Sequence, residues 1–304
     1  MSDESATVLG IDIGGTKMAA ALVAADGTIR TEDRILTPSG DADQVFAALA
    51  ELVARVVDGS TPIAVGIGSA GPLDLTRGLV SPVNITGWRD FPLVDRVRAL
   101  VGDVPVELGV DGHCFALGES WTGAGRAVDT LLGIVVSTGV GAGIVVDGKP
   151  LLGQSGNAAH LGHMVVDLDG EPCACGSFGC VETYASGPRM VARAQRRGWR
   201  PGQRVDAAVL SADAAAGDEI ALAIFDDGAQ ALAAGIVATA VTVDLTTVVI
   251  GGGVAKAGPV LFEPVGRWVK RLAQLPFVTG LTVEPAQLAN AGLLGAARLA
   301  WAAV

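Results

Sequence analysis

Apolar residues at positions 45, 46, 49, 52, 53, 56 and 57 keep the three-to-four spacing of one helix face. They predict a helix over residues 41–57, stopped at Gly59. Other apolar positions gather in short runs. VLGIDI (residues 8–13), PIAVGIG (62–68), residues 104–108 and LTTVVI (245–250) read as buried strands. Helical patterns follow over residues 112–121, 177–197, 217–240, 259–272 and 288–303, with Pro259 suited to a first turn. Strands alternating with helices predict an α/β fold.

The first strand runs into Gly14-Gly15-Thr16, and a second apolar run starts at Lys17 and ends near the turn signal Asp26-Gly27. The glycine turn therefore joins two strands, whereas in a Rossmann unit it would open a helix. No GxxxxGK[ST] stretch occurs, which excludes the common phosphate-loop ATPases. The same strand, glycine turn, strand and Asp-Gly order returns over residues 132–148, with Gly133 standing 123 residues after Gly10. That distance is too long for a solenoid and predicts two similar halves, each with one glycine-turned hairpin. Two such hairpins can grip the phosphate chain of a nucleotide from both sides. Glycines let backbone amides approach phosphate closely. The candidate nucleotide contacts are Asp12, Gly14, Gly15, Thr16 and Lys17 in the first hairpin and Ser137, Thr138, Gly139 and Gly141 in the second. Gly251, Gly252 and Gly253 follow a buried strand and suit a flat base and ribose. Asp12, at a strand end, can hold Mg²⁺ directly or through water.

At 304 residues the chain is expected to form two domains at about 150 residues each. Its 42 glycines are about twice the usual share and cluster in the turns just described. A net charge of −11 argues against nucleic acid as a partner, because phosphate binding needs a basic face. The longest span-like uncharged run, residues 229–243, is too short for a bilayer. Residues 1–7 are acidic and polar, unlike a signal peptide, so a cytoplasmic protein without a membrane partner is expected. Of the four cysteines, Cys173, Cys175 and Cys180 lie within eight residues, a spacing that suits a metal better than a disulfide framework. With His163 of the upstream Gly-His pair they offer three thiolates and one imidazole, a tetrahedral structural Zn²⁺ set. Cys114 reads as core.

GIDIGGTK, the Gly162-His163…CxCGxxGCxE segment and IGGG, at these intervals, closely resemble the ROK family of repressors, open reading frames and sugar kinases. The resemblance runs from Val8 to about Leu299. It implies two ribonuclease-H-like domains of the actin and hexokinase superfamily around a cleft. Residues 1–112 plus 290–304 would form the smaller domain with the first hairpin. Residues 113–289 would form the larger one with the second hairpin, the zinc motif and the adenosine loop. It also implies ATP and Mg²⁺ as cofactors, structural Zn²⁺, a homodimer, and transfer of the γ-phosphoryl group to the 6-hydroxyl of a hexose.

The family's catalytic segment reads Glu-Asn-Asp-Ala-Asn before a helix ending in Gly-Glu. Here the stretch is Gly109-Val110-Asp111-Gly112-His113, with Gly118-Glu119 in place. Asp111 thus matches the catalytic base, and a carboxylate at a helix start can accept a sugar hydroxyl proton. His163 and Glu182 match contacts to the sugar ring, and Gly71 and Asn84 lie in loops expected beside it. Two positions depart from the pattern. Val110 replaces an Asn, and His160 replaces the Glu of Glu-x-Gly-His. Losing hydrogen-bonding groups opposite hydroxyls costs roughly 1–3 kcal/mol of discrimination. The nucleotide half is therefore expected to be intact and the sugar half altered, which points to an aminohexose such as kanosamine (3-amino-3-deoxyglucose). The alternatives are a glucokinase with altered contacts and a sugar-binding pseudokinase. Repressors of the family carry a helix-turn-helix of many tens of residues, and seven residues precede Val8, so a repressor is not expected.

Overall fold

The computed structural model describes residues 6–82 and 84–304. The acidic start of the chain, residues 1–5, and Val83 of the loop at 82–88 lie outside these. In chain order the elements begin with β1 (Val8–Ile13), β2 (Lys17–Val23), β3 (Ile29–Leu36), α1 (Ala42–Val57), β4 (Val65–Ser69), β5 (Leu73–Asp74) and β6 (Leu79–Val80). Then come α2 (Leu93–Val101), β7 (Val106–Val110), α3 (Asp111–Thr122), β8 (Thr130–Val136), β9 (Val140–Val146) and β10 (Lys149–Pro150). The chain continues with α4 (Val181–Ala185), α5 (Gly187–Arg196), α6 (Ala207–Ala215), α7 (Glu219–Val243), β11 (Thr247–Gly251), α8 (Pro259–Leu272), β12 (Thr282–Pro285) and α9 (Ala291–Trp301).

Two five-stranded sheets repeat one order, β3-β2-β1-β4-β7 and β10-β9-β8-β11-β12. In the first, β1 pairs antiparallel with β2 and parallel with β4, and β4 is parallel to β7. In the second, β11 lies parallel to both β8 and β12. The glycine-turned hairpins, β1–β2 and β8–β9, occupy the same place in each order. The internal repeat in the sequence is thus a repeat of sheet topology.

The chain forms two compact units: Met1–Asp129 with Gly143–Ala159 and Gln287–Val304, and Thr130–Ala142 with His160–Ala286. This division puts α3 with the first unit, past the boundary at residue 112 that the sequence suggests. The reason is close packing of α3 on α9. A methyl group on Gly295 would fall 1.6 Å from the Cys114 carbonyl oxygen, and one on Gly118 would fall 2.1 Å from that of Ala291. Bare backbone on each helix lets them approach. Glu119 of α3, fully buried, strengthens the join by accepting the Ala124 and Leu288 N–H groups at 2.8 and 2.9 Å. Beneath the first sheet, α1 contributes Val45, Phe46, Leu49, Leu52, Val53 and Val56 to a core that also takes Ile11, Ile67 and Trp88. Its N-terminus closes with a reciprocal Asp41–Gln44 capping box. On the other face Leu293, Leu294, Ala297 and Ala300 of α9 meet Val8, Ala21 and Val23.

In the second unit the helix expected over residues 177–197 is two helices. Ser186 is extended at φ −71° and ψ 144°, and the Gly187 N–H turns away to the Ser137 carbonyl at 2.8 Å. Among the described residues α7 is long and apolar enough to cross a membrane by length and composition, longer than the run at 229–243 suggests. Its most apolar window is 61 % buried inside the fold, as in a core helix.

Candidate active site

The first unit gathers its chemistry where β1 and β7 end. Asp12 is half-buried in β1, and Gly292, in the first turn of α9, comes so close that a methyl group there would sit 3.1 Å from Asp12 Oδ2. Asp111 opens α3, is exposed, and accepts the Gly112 N–H through Oδ1 at 2.7 Å. Burial first, and the Asp111 charge second, push the Asp12 carboxyl up from 3.8 to about 6, with Lys17 opposing. The Cys114 thiol below them is fully buried, as expected for core, and burial holds its pKa well above the ordinary thiol range.

The Gly14-Gly15-Thr16 turn is braced from outside. The Gly14 carbonyl accepts the Thr37 hydroxyl at 2.7 Å, and the Thr37 N–H reaches the Thr16 carbonyl at 3.0 Å. Asn84 lies against Gly15, where a methyl group would collide with its Cβ at 2.3 Å. Lys17 is exposed at the start of β2. Gly71 stands in the loop after β4, and Trp88, fully buried, anchors the loop at 82–88 through its indole N–H to the Ala42 carbonyl at 3.2 Å. Val110, just before Asp111, is 5 % exposed and packs with the apolar core of the unit. An apolar side chain at a strand end gains more from that core than from solvent.

The raised Asp12 pKa sets a stability test. A carboxyl whose folded pKa lies above its unfolded value costs stability when ionised, fully above about 6 and not below 3.8. Asp12→Asn is therefore expected to raise the melting temperature of the ligand-free chain at pH 8, with the gain shrinking toward pH 4. Calorimetry at the two pH values checks this, and equal shifts at both would contradict it.

The second unit carries the other hairpin and the cysteine cluster. Ser137 and Gly139 close the turn through a 2.8 Å backbone bond, and Thr138 and Gly141 stand within and just after it. Gly251 ends β11, and Gly252 has φ +95°, a conformation open to glycine, before Gly253 leads into a short 3-10 turn, Val254–Ala257. Between these two glycine segments lies a mostly apolar cavity of about 630 Å³, lined by Ser137, Thr138, Gly187, Val191, Arg204 and Gly253. Val191 and Arg204 had no signal in the sequence. They come from α5 and the loop before α6, far from either glycine segment.

The ligating atoms of His163, Cys173, Cys175 and Cys180 lie within 4.8 Å of one another. Cys175 Sγ and Cys180 Sγ are 3.8 Å apart, and Cys173 Sγ is 3.7 Å from His163 Nδ1. A tetrahedron with Zn–S of about 2.3 Å and Zn–N of about 2.0–2.1 Å has edges of about 3.8 and 3.6 Å. The donor set and its spacing thus fit zinc. His163 would bind through Nδ1, leaving Nε2 directed elsewhere. His160 is exposed, its ring centroid 6.3 Å from that of His163. Glu182, in the first turn of α4, accepts the Val140 N–H through Oε2 at 2.9 Å. A feature absent from the sequence reading supports this segment. Arg193 of α5, nearly buried, bridges Glu171 at 2.6 Å and Asp227 of α7 at 2.9 Å.

A repeated sheet order, a carboxylate and a glycine turn on the first hairpin, and a second glycine hairpin beside an apolar cavity define an α/β protein of the actin and hexokinase superfamily. The ROK family profile matches residues 8–303. The glucokinase of Thermotoga maritima is 36 % identical over 309 residues, covering 96 % of this chain and 96 % of that protein. The N-acetylmannosamine kinase of Yersinia pseudotuberculosis is 38 % identical over 296 residues, covering 95 % and 96 %. The crystal structure of a ROK family glucokinase from Streptomyces griseus in complex with glucose and AMPPNP aligns at a TM-score of 0.83 and 35 % identity, covering 97 % of this chain and 99 % of that one. The chain belongs to the ROK family.

Proposed function

We propose that this protein is an ATP-dependent sugar kinase that transfers the γ-phosphoryl group to the 6-hydroxyl of a hexose. The observation that carries the reading is the Asp12–Asp111 pair at the ends of β1 and β7, close enough that the charge of one raises the pKa of the other. Phosphoryl transfer needs two carboxylates with different tasks. Asp12, followed by the glycine turn, would hold the Mg²⁺ of the nucleotide, and that ion supplies charge neutralisation at the phosphates. Asp111, exposed at a helix start, accepts the hydroxyl proton as the sugar oxygen bonds to phosphorus and the bond to ADP breaks. The apolar cavity beside Thr138 and Gly253 suits an adenine ring, and the hairpins supply amides for the phosphates. His163 Nε2 and Glu182 face the acceptor sugar on this reading. Gly71 and Asn84 belong to the loops that shape its site, while Val110 acts from the core behind Asp111.

The relatives named glucokinase and N-acetylmannosamine kinase support a hexose or hexosamine acceptor. The substrate class we infer is a modified glucose, an aminohexose, with kanosamine the leading candidate. His160 stands where the family pattern has a carboxylate, and Val110 where it has an amide, so two hydroxyl-reading groups are missing. A screen with ATP over glucose, mannose, N-acetylmannosamine, N-acetylglucosamine, glucosamine and kanosamine tests this. The expected result is kcat/KM for an aminohexose about 10-fold or more above glucose. Preference for glucose would make the protein a glucokinase with altered contacts, and no turnover with any hexose would leave a sugar-binding pseudokinase.

His160→Glu restores the missing carboxylate without disturbing the core. It is expected to shift the kcat/KM ratio toward glucose by about 10-fold, one hydrogen-bonding group's worth of discrimination. An unchanged ratio would remove His160 from the specificity argument.

A further inference from the structure

Val140 closes the second hairpin, and the segments bearing the metal ligands hold it on two sides. Its N–H donates to Glu182 Oε2 at 2.9 Å, two residues past Cys180. Its carbonyl faces Gly162, next to His163, so closely that a methyl group there would lie 2.1 Å from the oxygen. At the other end of the turn, the Ser137 carbonyl accepts the Gly187 N–H at 2.8 Å, just after α4. Gly139, between them, would bring a methyl group within 2.7 Å of the same Glu182 oxygen. The turn itself is Ser-Thr-Gly-Val-Gly, with little side-chain bulk to fix it. Its shape therefore depends on these backbone contacts.

We propose that Glu182 is a positioning residue for the phosphate hairpin as well as a sugar-facing carboxylate. Oε2 fixes the Val140 amide and, through it, the direction of the hairpin's other N–H groups, while Oε1 serves the acceptor. A bond from an N–H to a carboxylate is stronger than one between neutral groups, so a single such anchor can hold a short turn. Preordering the turn removes an ordering cost that the nucleotide would otherwise bear on binding. One carboxylate thus answers to both substrates. The proposal rests on the kinase reading and deepens it.

The test is calorimetric titration of Mg²⁺–AMPPNP into the zinc-loaded protein without sugar. Glu182→Ala is expected to weaken nucleotide binding about fivefold or more, although the residue would face the acceptor. Glu182→Gln keeps an oxygen at the same reach but loses the charge, so its nucleotide affinity should fall between wild type and the Ala variant, while it loses affinity for sugar. Gly139→Ala should push the carboxylate aside and weaken sugar binding from within the nucleotide hairpin. If Glu182→Ala loses zinc or unfolds, Glu182→Asp takes its place, since it keeps the charge but falls short of Val140. Wild-type nucleotide affinity in the Ala or Asp variant, or a Gln variant as impaired as Ala, overturns the proposal and leaves the kinase reading standing. Failure of the wild type to bind AMPPNP overturns both.

Discussion

Replacing Asp111 with Asn is expected to lower kcat about 10²- to 10⁴-fold, the range of a lost general base. Nucleotide affinity should change little. The substitution keeps the size of the side chain and an oxygen for the 2.7 Å bond from the Gly112 N–H, so the start of α3 is preserved. What disappears is the proton acceptor and one negative charge. The lost charge gives a second, independent readout. Asp111 is the second largest cause of the raised Asp12 pKa, after burial, so the variant should bring that pKa down from about 6. Mg²⁺-dependent nucleotide binding should then survive to lower pH than in the wild type, because Asp12 stays ionised. A pH series of titrations on the two proteins measures the shift. Near-wild-type turnover would refute the base assignment, and an unmoved acid limb would refute the coupling of the two carboxylates.

The other large effect is expected from the cysteine cluster. Purified protein should contain close to one zinc per chain. Cys180→Ser, or removal of the metal with a chelator, should lower stability by about 3–5 kcal/mol, roughly 10 °C in melting temperature. The fold gives the reason. Cys180 is fully buried, and the segment between the ligands is irregular, tied by turn hydrogen bonds and the short bridges of Val165 with Cys180 and Pro172 with Phe178. Without a metal, three thiols and an imidazole within 4.8 Å of one another have only weak S–H contacts in place of metal–ligand bonds. Activity should fall with the metal, since His163 and Glu182 stand on the same segment. Elemental analysis and calorimetry measure both. Absence of zinc from the native protein, or a chelated chain with unchanged melting, would refute the assignment.

The glycine hairpins and the cysteine motif were legible because their chemistry lies in contiguous residues with fixed spacing. The same holds for α1, whose apolar stripe and Asp41 cap are strong local signals. Elements with weak periodicity were not legible. Only Leu93 and Val97 of α2 are buried, and α6 buries Leu210 and Ala214 in a run of alanines. The break at Ser186 had a local signal in Gly187-Pro188, since Pro188 stands in the first turn of α5 and cannot continue the ladder of α4, and the Gly187 N–H to Ser137, fifty residues earlier, completes it. Val191 and Arg204 were hidden because they meet only through the fold. The match of Val110 to a family position gave no sign of its burial, because burial is decided by the neighbours it finds.

The placement of α9 also bears on how the protein is made. This helix, from the last fifteen residues or so, covers Val8, Ala21 and Val23 on one face of the first sheet. A chain emerging from the ribosome exposes that face throughout synthesis of the second unit. At about 5–20 residues per second the wait is roughly ten seconds or longer. The second unit, built almost entirely from one stretch, can fold during that interval. β1 and β2 thus complete their packing on this face only once α9 has been made, and until then Val8, Ala21 and Val23 stay open to other partners.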